Sequence, residues 1–600
     1  MRLRRKIVAA VSSAVLAAAM LAGCSSDAST SSDSTSTSGV TAAASATVDG
    51  TQSASAVLAA NKTVHTAGSS STSGATEITL SGASASSSGD GVTIDGSTVT
   101  ITAAGTYTLS GTLTDGQIVV TAPDATVTLI LNGVTITSST TAAIAATEAE
   151  QLVVVLADGT TNTLADTSSY AEDADVNAAL FSAGDLTVTG SGSLSVTGNG
   201  NDAITSKDGL LIESGTITVE AKDDGIRGKD YVVVNGGTIT VTAGGDGLKA
   251  DNDEDADAGF VDVTGGTIAV TAGGDGVDAS TDIVVTDGTI TVVSGGGHTA
   301  TVADDASAKG LKSGVITVLE GGTATVDAAD DAVHSDGAIH FAGATVSVAS
   351  GDDGVHAEGA QIIDGGTIEV TSAVEGLEAA EFVLNAGDVH VVSSDDGVNG
   401  AGGTSTSEDQ GGGFGGGPGG GGDSVGDFSV TINGGTLVID ADGDGLDSNG
   451  IATITGGTVV VNGPEGNGNG ALDVNGTFTI SGGTLLAAGS SGMVVAPGTD
   501  SAQGWLSATV DSAIAAGTTV QIVDSSGDVV ATYVTSRSVQ NIVYSSSAIT
   551  SGEQYTIRVG GTASGASTGG LTASGSLGSA TTVATVTAGE APAGGRGGRR

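Results

Sequence analysis

Residues 236–249 read GGTITVTAGGDGLK, and residues 365–378 read GGTIEVTSAVEGLE. Each stretch holds a Gly-Gly bend, a strand that alternates polar and apolar residues, and a second bend closing on an acidic residue, a glycine and an apolar residue. The closing triplet falls at Asp202-Ala203-Ile204, Asp224-Gly225-Ile226 and Asp246-Gly247-Leu248, 22 residues apart each time. It returns at Lys309-Gly310-Leu311, Asp331-Ala332-Val333, Asp353-Gly354-Val355, Glu375-Gly376-Leu377 and Asp396-Gly397-Val398, with steps of 22, 22, 22 and 21. A fixed step of this size marks stacked, near-identical units. A unit with two or three short strands and no helical apolar period cannot bury its own apolar face, so it must stack on its neighbours. The sequence therefore predicts an all-β chain folded as a parallel β-helix of about 22 residues per coil.

Composition agrees with this architecture. Aromatic residues make up 2% of the 600 residues and glycine 99 of them, which suits a narrow core of Val, Ile, Leu and Ala and a path full of bends. The start, Met1-Arg2-Leu3-Arg4-Arg5-Lys6 followed by the apolar run Ile7 to Leu21, has the charged and apolar regions of a secretory signal. It ends in Leu21-Ala22-Gly23-Cys24, similar to a bacterial lipobox, which implies cleavage before Cys24, its acylation, and anchoring on the extracellular side of a bacterial membrane. Cleavage would leave 13 basic against 68 acidic residues, a net of −55. Such a surface repels nucleic acid, whose binding depends on basic phosphate contacts, and attracts divalent cations, calcium first.

The chain divides by pattern into a signal at 1–23, a flexible Ser/Thr/Ala-rich tether at 24–76, and coils over 77–500. A glycine-rich excursion interrupts the coils at 410–422, a small antiparallel β unit at 501–561 caps them, and a disordered tail occupies 562–600. The cap is expected because an uncapped last coil exposes an unpaired strand edge. A monomer is the expected state.

Two acidic runs have metal-ligand spacing: Asp251, Asp253 and Asp255 in one, and Asp440, Asp442 and Asp444 in the other, followed by Asp447. Alternate carboxylates before a turn can converge on a hard cation, although neither run carries the Glu that completes an EF-hand loop. A second feature runs across the coils. Asp331, Asp353, Glu375 and Asp396 share a phase and should stack one strand spacing apart, where like charges need compensation from cations, hydrogen bonds to the next turn, or solvent. Three residues after each acid lies a second column: Arg227, Lys249, Asp278, Lys312, His334, His356, Glu378 and Asn399. Its basic members could meet a sugar carboxylate, supply the base of a lyase, or neutralise the adjacent acids, and His334 with His356 could form a metal pair. No catalytic constellation stands out.

The order of these pieces resembles a bacterial family, the carbohydrate-binding domain-containing proteins with a right-handed β-helix similar to that of polysaccharide lyases. The residues that carry the resemblance include Tyr107 to Gly111 (YTLSG), Asn201 to Asp208 (NDAITSKD), Asp223 to Asp230 (DDGIRGKD), Gly244 to Asp255 (GGDGLKADNDED) and Asp444 to Gly450 (DGLDSNG). The resemblance implies binding of plant cell-wall polysaccharide, both polygalacturonate and cellulose, with calcium held by acidic residues and no established lyase activity. The expected ligand contacts are Arg227, Lys249, Asp353 and Asp396. The alternatives are a calcium-dependent pectate lyase using Arg227 or Lys249, and a structural adhesin.

Overall fold

The computed structural model describes residues 48–66, 74–303, 306–402 and 425–591, all within one unit, Thr47–Arg600. Successive coils stack as three parallel walls. The first wall is built of six-residue strands such as Thr216–Ala221, Thr238–Ala243 and Thr267–Ala272, which pair in register so that Ile217, Ile239 and Ile268 lie above one another. The second wall has three-residue strands, among them Ile226–Gly228, Leu248–Ala250 and Val277–Ala279. The third has four-residue strands such as Tyr231–Val234, Phe260–Val263 and Asp282–Val285.

First-wall strands alternate as the sequence requires: in Thr238–Ala243 the threonines face outward while Ile239, Val241 and Ala243 are buried. One apolar core runs through the coils from Ile78 to Phe478 and Trp505, filled almost entirely by Val, Ile, Leu and Ala. The tight corner between first and second walls leaves no room at Gly247. A Cβ there would stand 2.2 Å from Val270 Cγ1 and 2.5 Å from the Gly276 carbonyl oxygen. The coil path is longer after Ala250, after Ser294 and after Gly400, and the register resumes each time, at Phe260, Leu311 and Ser429.

The expected flexible tether is corrected over 48–66. Ala54–Ala60 is an α-helix whose N-cap, Ser53, accepts the backbone N–H of Ala56, and its Ala54 and Val57 are buried against Val284, Ile316, Val318 and Ala338 of the third wall. The strap continues to Lys62, which pairs with Asp230, and Leu58 and Val64 pack against Tyr231, Val233 and Phe260. A search for period-two alternation passes over a segment whose apolar spacing is helical. The strap also accounts for the third wall: Tyr231–Val234 and Phe260–Val263 are buried on both faces, so their sequences run apolar without alternating.

The C-terminal expectations need two corrections. Val539–Ser545 pairs antiparallel with the last first-wall strand, Thr484–Gly489, and with Trp505–Ile514, so part of the unit extends the β-helix sheet itself. The remainder forms a separate antiparallel sheet that runs past residue 561, because Thr562–Thr568, Leu571–Ser576 and Thr581–Thr587 complete it. Gly569 and Gly570, at φ of 53° and 92°, make the turn that lets this Gly- and Ser-rich segment pair with itself. Cys24 and the 410–422 glycine run lie outside the described residues.

Candidate functional site: a charged column on the second wall

The corner between the first and second walls positions one acidic residue per coil. Asp224 Oδ1 accepts the backbone N–H of Asp246 at 3.0 Å, Asp246 Oδ1 that of Asp275 at 2.7 Å, and Asp275 Oδ1 that of Lys309 at 2.8 Å. Asp331 does the same for Asp353 at 3.1 Å, and Asp396 for Asp444 at 2.6 Å. Of the three compensations open from sequence, hydrogen bonding to the next coil's turn is thus present along much of the ladder. The remaining carboxylate oxygens turn toward the neighbouring column.

Strand register makes that column continuous: Arg227, Lys249, Asp278, Lys312, His334, His356, Glu378 and Asn399 each pair with the next. It extends beyond Asn399 to Asp447 and Asp473. The sequence holds a signal for this extension, since both lie three residues after the acid phase, at Asp444 and Gly470, across the long insertion.

The column changes character along its length. In its first half the bases are held by acids. Lys249 Nζ is 2.5 Å from Asp246 and 3.5 Å from Asp224, and Lys312 Nζ is 3.0 Å from Asp275 and 3.2 Å from Asp278. Arg227 pairs with Asp251 and lies 3.7 Å from Asp202. Burial opposes the charge on Lys249, but Asp246, Asp224 and Asp278 outweigh it and raise its pKa, the wrong direction for a general base. Arg227 is raised in the same way by Asp251 and Asp202. In the middle stand the histidines, His334 Nδ1 at 2.8 Å from Asp331 and His356 Nδ1 at 2.8 Å from Asp353. The last part is acidic. Burial, then the charges of Asp444, Asp395 and Glu375, push Asp396 up to about 7, and burial with Asp396, Asp473 and Asp444 pushes Asp447 up to about 8.

The two acidic runs are distributed differently from a single loop. Asp251 pairs with Arg227, Asp255 Oδ2 lies 3.2 Å from Lys62 Nζ, and Asp253 is exposed. In the second run, Asp440 is 3.0 Å from His390 Nε2 and Asp442 pairs with Arg537, while Asp444 and Asp447 join the ladder and the column. Among the described residues, three potential ligand atoms come within 4.8 Å of one another in Asp331, His334 and His356, in Asp353, His356 and Glu378, and in Asp330, Asp331 and Asp352.

The sequence model of the carbohydrate-binding domain-containing proteins matches residues 95–354, the coils that carry the first half of this column, from Arg227 to His334. A solved structure of a polysaccharide lyase-like protein from C. thermocellum, a gadolinium derivative, is 36% identical; the match covers 37% of this chain and 92% of that one, with a TM-score of 0.36. Over residues 95–354 the chain is similar to the carbohydrate-binding domain-containing proteins. A curated member from Acetivibrio thermocellus is 38% identical over 128 residues, which is 20% of this chain and 45% of that protein. The chain thus spans less than half the length of this curated family member.

Proposed function

We propose that the chain is a surface carbohydrate-binding lipoprotein that engages acidic plant cell-wall polysaccharide, polygalacturonate before cellulose, through calcium held on the charged column. The observation that carries this reading is the family match over residues 95–354, the coils whose second wall bears the first half of that column. In its acidic part, at Asp396, Asp444 and Asp447, calcium would relieve carboxylates that burial and like charge now disfavour, and would bridge to sugar carboxylates. Arg227, Lys249 and Asp353 would line the same surface, with Asp251, Asp253, Asp255, Asp440 and Asp442 as peripheral acids. Trp505, the chain's only tryptophan, is buried, which disfavours stacking on crystalline cellulose. The lyase alternative requires Arg227 or Lys249 as a base, and both are held protonated by their carboxylate partners.

In this reading the chain acts as a monomer, anchored at the cell surface by acylation of Cys24. Depletion of the protein by insoluble pectate and by cellulose, each with calcium and with chelator, tests the function. Calcium-dependent loss onto pectate is expected, and no loss onto either polymer would refute it. Mass spectrometry of the native protein, reading the diacylglyceryl adduct on Cys24, tests the anchor.

A further inference from the structure

The middle of the column differs from both ends in kind. His334 and His356 are outward residues of consecutive second-wall strands, Val333–Ser335 and the strand that begins at Val355, and their rings lie 5.1 Å apart between centroids. Each ring is held from the preceding corner: Asp331 Oδ2 meets His334 Nδ1 and Asp353 Oδ2 meets His356 Nδ1, both at 2.8 Å. In its neutral form, with Nδ1–H donating to Asp353 Oδ2, His356 would present the Nε2 lone pair. That Nε2 is buried and has no hydrogen-bond partner. Glu358 Oε1, the nearest carboxylate oxygen recorded for it, is 3.9 Å away, beyond hydrogen-bond length.

At His356 a carboxylate holds one imidazole nitrogen while the other is bare, the arrangement that orients a histidine toward a metal ion. At His334 the orienting carboxylate is Asp336, whose Oδ1 meets Nε2 at 3.0 Å, so Nδ1 is the nitrogen that would face the ion together with Asp331 Oδ2. Ligand atoms of Asp331, His334 and His356 lie within 4.8 Å of one another. In a tetrahedral site with bonds near 2.0 Å, ligand atoms stand about 3.3 Å apart, so the three side chains would draw together on binding.

We infer that Asp331, His334 and His356 form a binding site for one divalent transition-metal ion of the zinc class, distinct from any calcium on the acidic part of the column. Two imidazoles and a carboxylate select a borderline ion, whereas calcium takes oxygen ligands. Asp353 is a positioning residue that fixes the His356 ring. Lys309, whose Nζ lies 2.5 Å from Asp331 Oδ2, is the cation that the metal displaces from that oxygen.

The test uses the untagged full-length chain, titrated with zinc chloride in excess calcium by calorimetry and with cobalt chloride by visible absorption. One equivalent of zinc should bind, and cobalt should give the intense d–d bands of a four-coordinate site. His356→Gln and His334→Gln should each weaken zinc at least about 100-fold, and Asp353→Asn roughly 10- to 100-fold. His390→Gln, on the first wall, should leave it unchanged. Calcium-dependent pectate binding should persist in His356→Gln, which separates this site from the function proposed above. Absence of saturable zinc binding, or zinc binding of equal strength in wild type, His356→Gln and His334→Gln, would overturn the assignment.

Discussion

Asp262 offers a direct measure of what the N-terminal strap does. It occupies the third-wall column between Val233 and Val284, both of which pack near the strap, and is only 6% exposed. Its Oδ1 has no hydrogen-bond partner, and burial pushes its carboxyl up to about 6. The folded chain therefore holds this proton up to about pH 6 while the unfolded chain releases it near 3.9. Between those values folding takes up a proton, so this residue's contribution to stability falls as pH rises. Below about pH 4 it costs nothing, and above about pH 6 the full penalty applies. At about 1.4 kcal/mol per pH unit the penalty is ~3 kcal/mol. Replacing Asp262 with Val, the residue found at the equivalent position 233, should remove it. If the whole body melts as one unit, ~3 kcal/mol corresponds to a rise on the order of 3 °C, from the usual entropy per residue. The gain in melting temperature of D262V over wild type, both in chelator, should thus be larger at pH 7.5 than at pH 4, by about 3 °C. A chain beginning at residue 74 lacks the strap, so in it the pH-dependent part of the difference should vanish. A D262V effect of equal size at both pH values would refute the reasoning.

Two further outcomes follow from the packing and charges. Lys249→Met leaves Asp246, Asp224 and Asp278 without their shared cation and should destabilise the chelated protein by about 3 kcal/mol. Equal melting of K249M and wild type would show that the lysine is not needed for neutralisation. Gly247→Ala drives a methyl into Val270 Cγ1 and the Gly276 carbonyl and should cost about 1–3 kcal/mol; an unchanged melt would mean the corner relaxes freely.

The coil period, the alternating first-wall strand and the charged column as far as Asn399 were legible in the sequence. In a parallel stack, a residue's phase fixes its vertical neighbours, so a step of 22 residues already places His334 beside His356 and Lys249 beside Asp278. The same rule would have carried the column on to Asp447 and Asp473, had the phase been followed across the 401–428 insertion. The strap was less legible, because a seven-residue helix gives little periodicity and the wall it covers reads apolar for a reason that lies far away in sequence. The C-terminal strands were missed because Gly, Ser and Thr pair there through backbone hydrogen bonds with few buried side chains.

Spacing along one chain was enough to specify the repeat and the vertical order of the charges from Arg227 to Asn399. How those charges are used depends on contacts made only once the coils are packed. Whether Asp251 faces Arg227 or an ion, whether Lys249 is free or held by three acids, and which histidine nitrogen is left bare depend on side chains meeting across coils and corners at distances of 2.5 to 4 Å. At that range the energy of a charge is set by its burial and its nearest partners, which one-dimensional spacing does not specify.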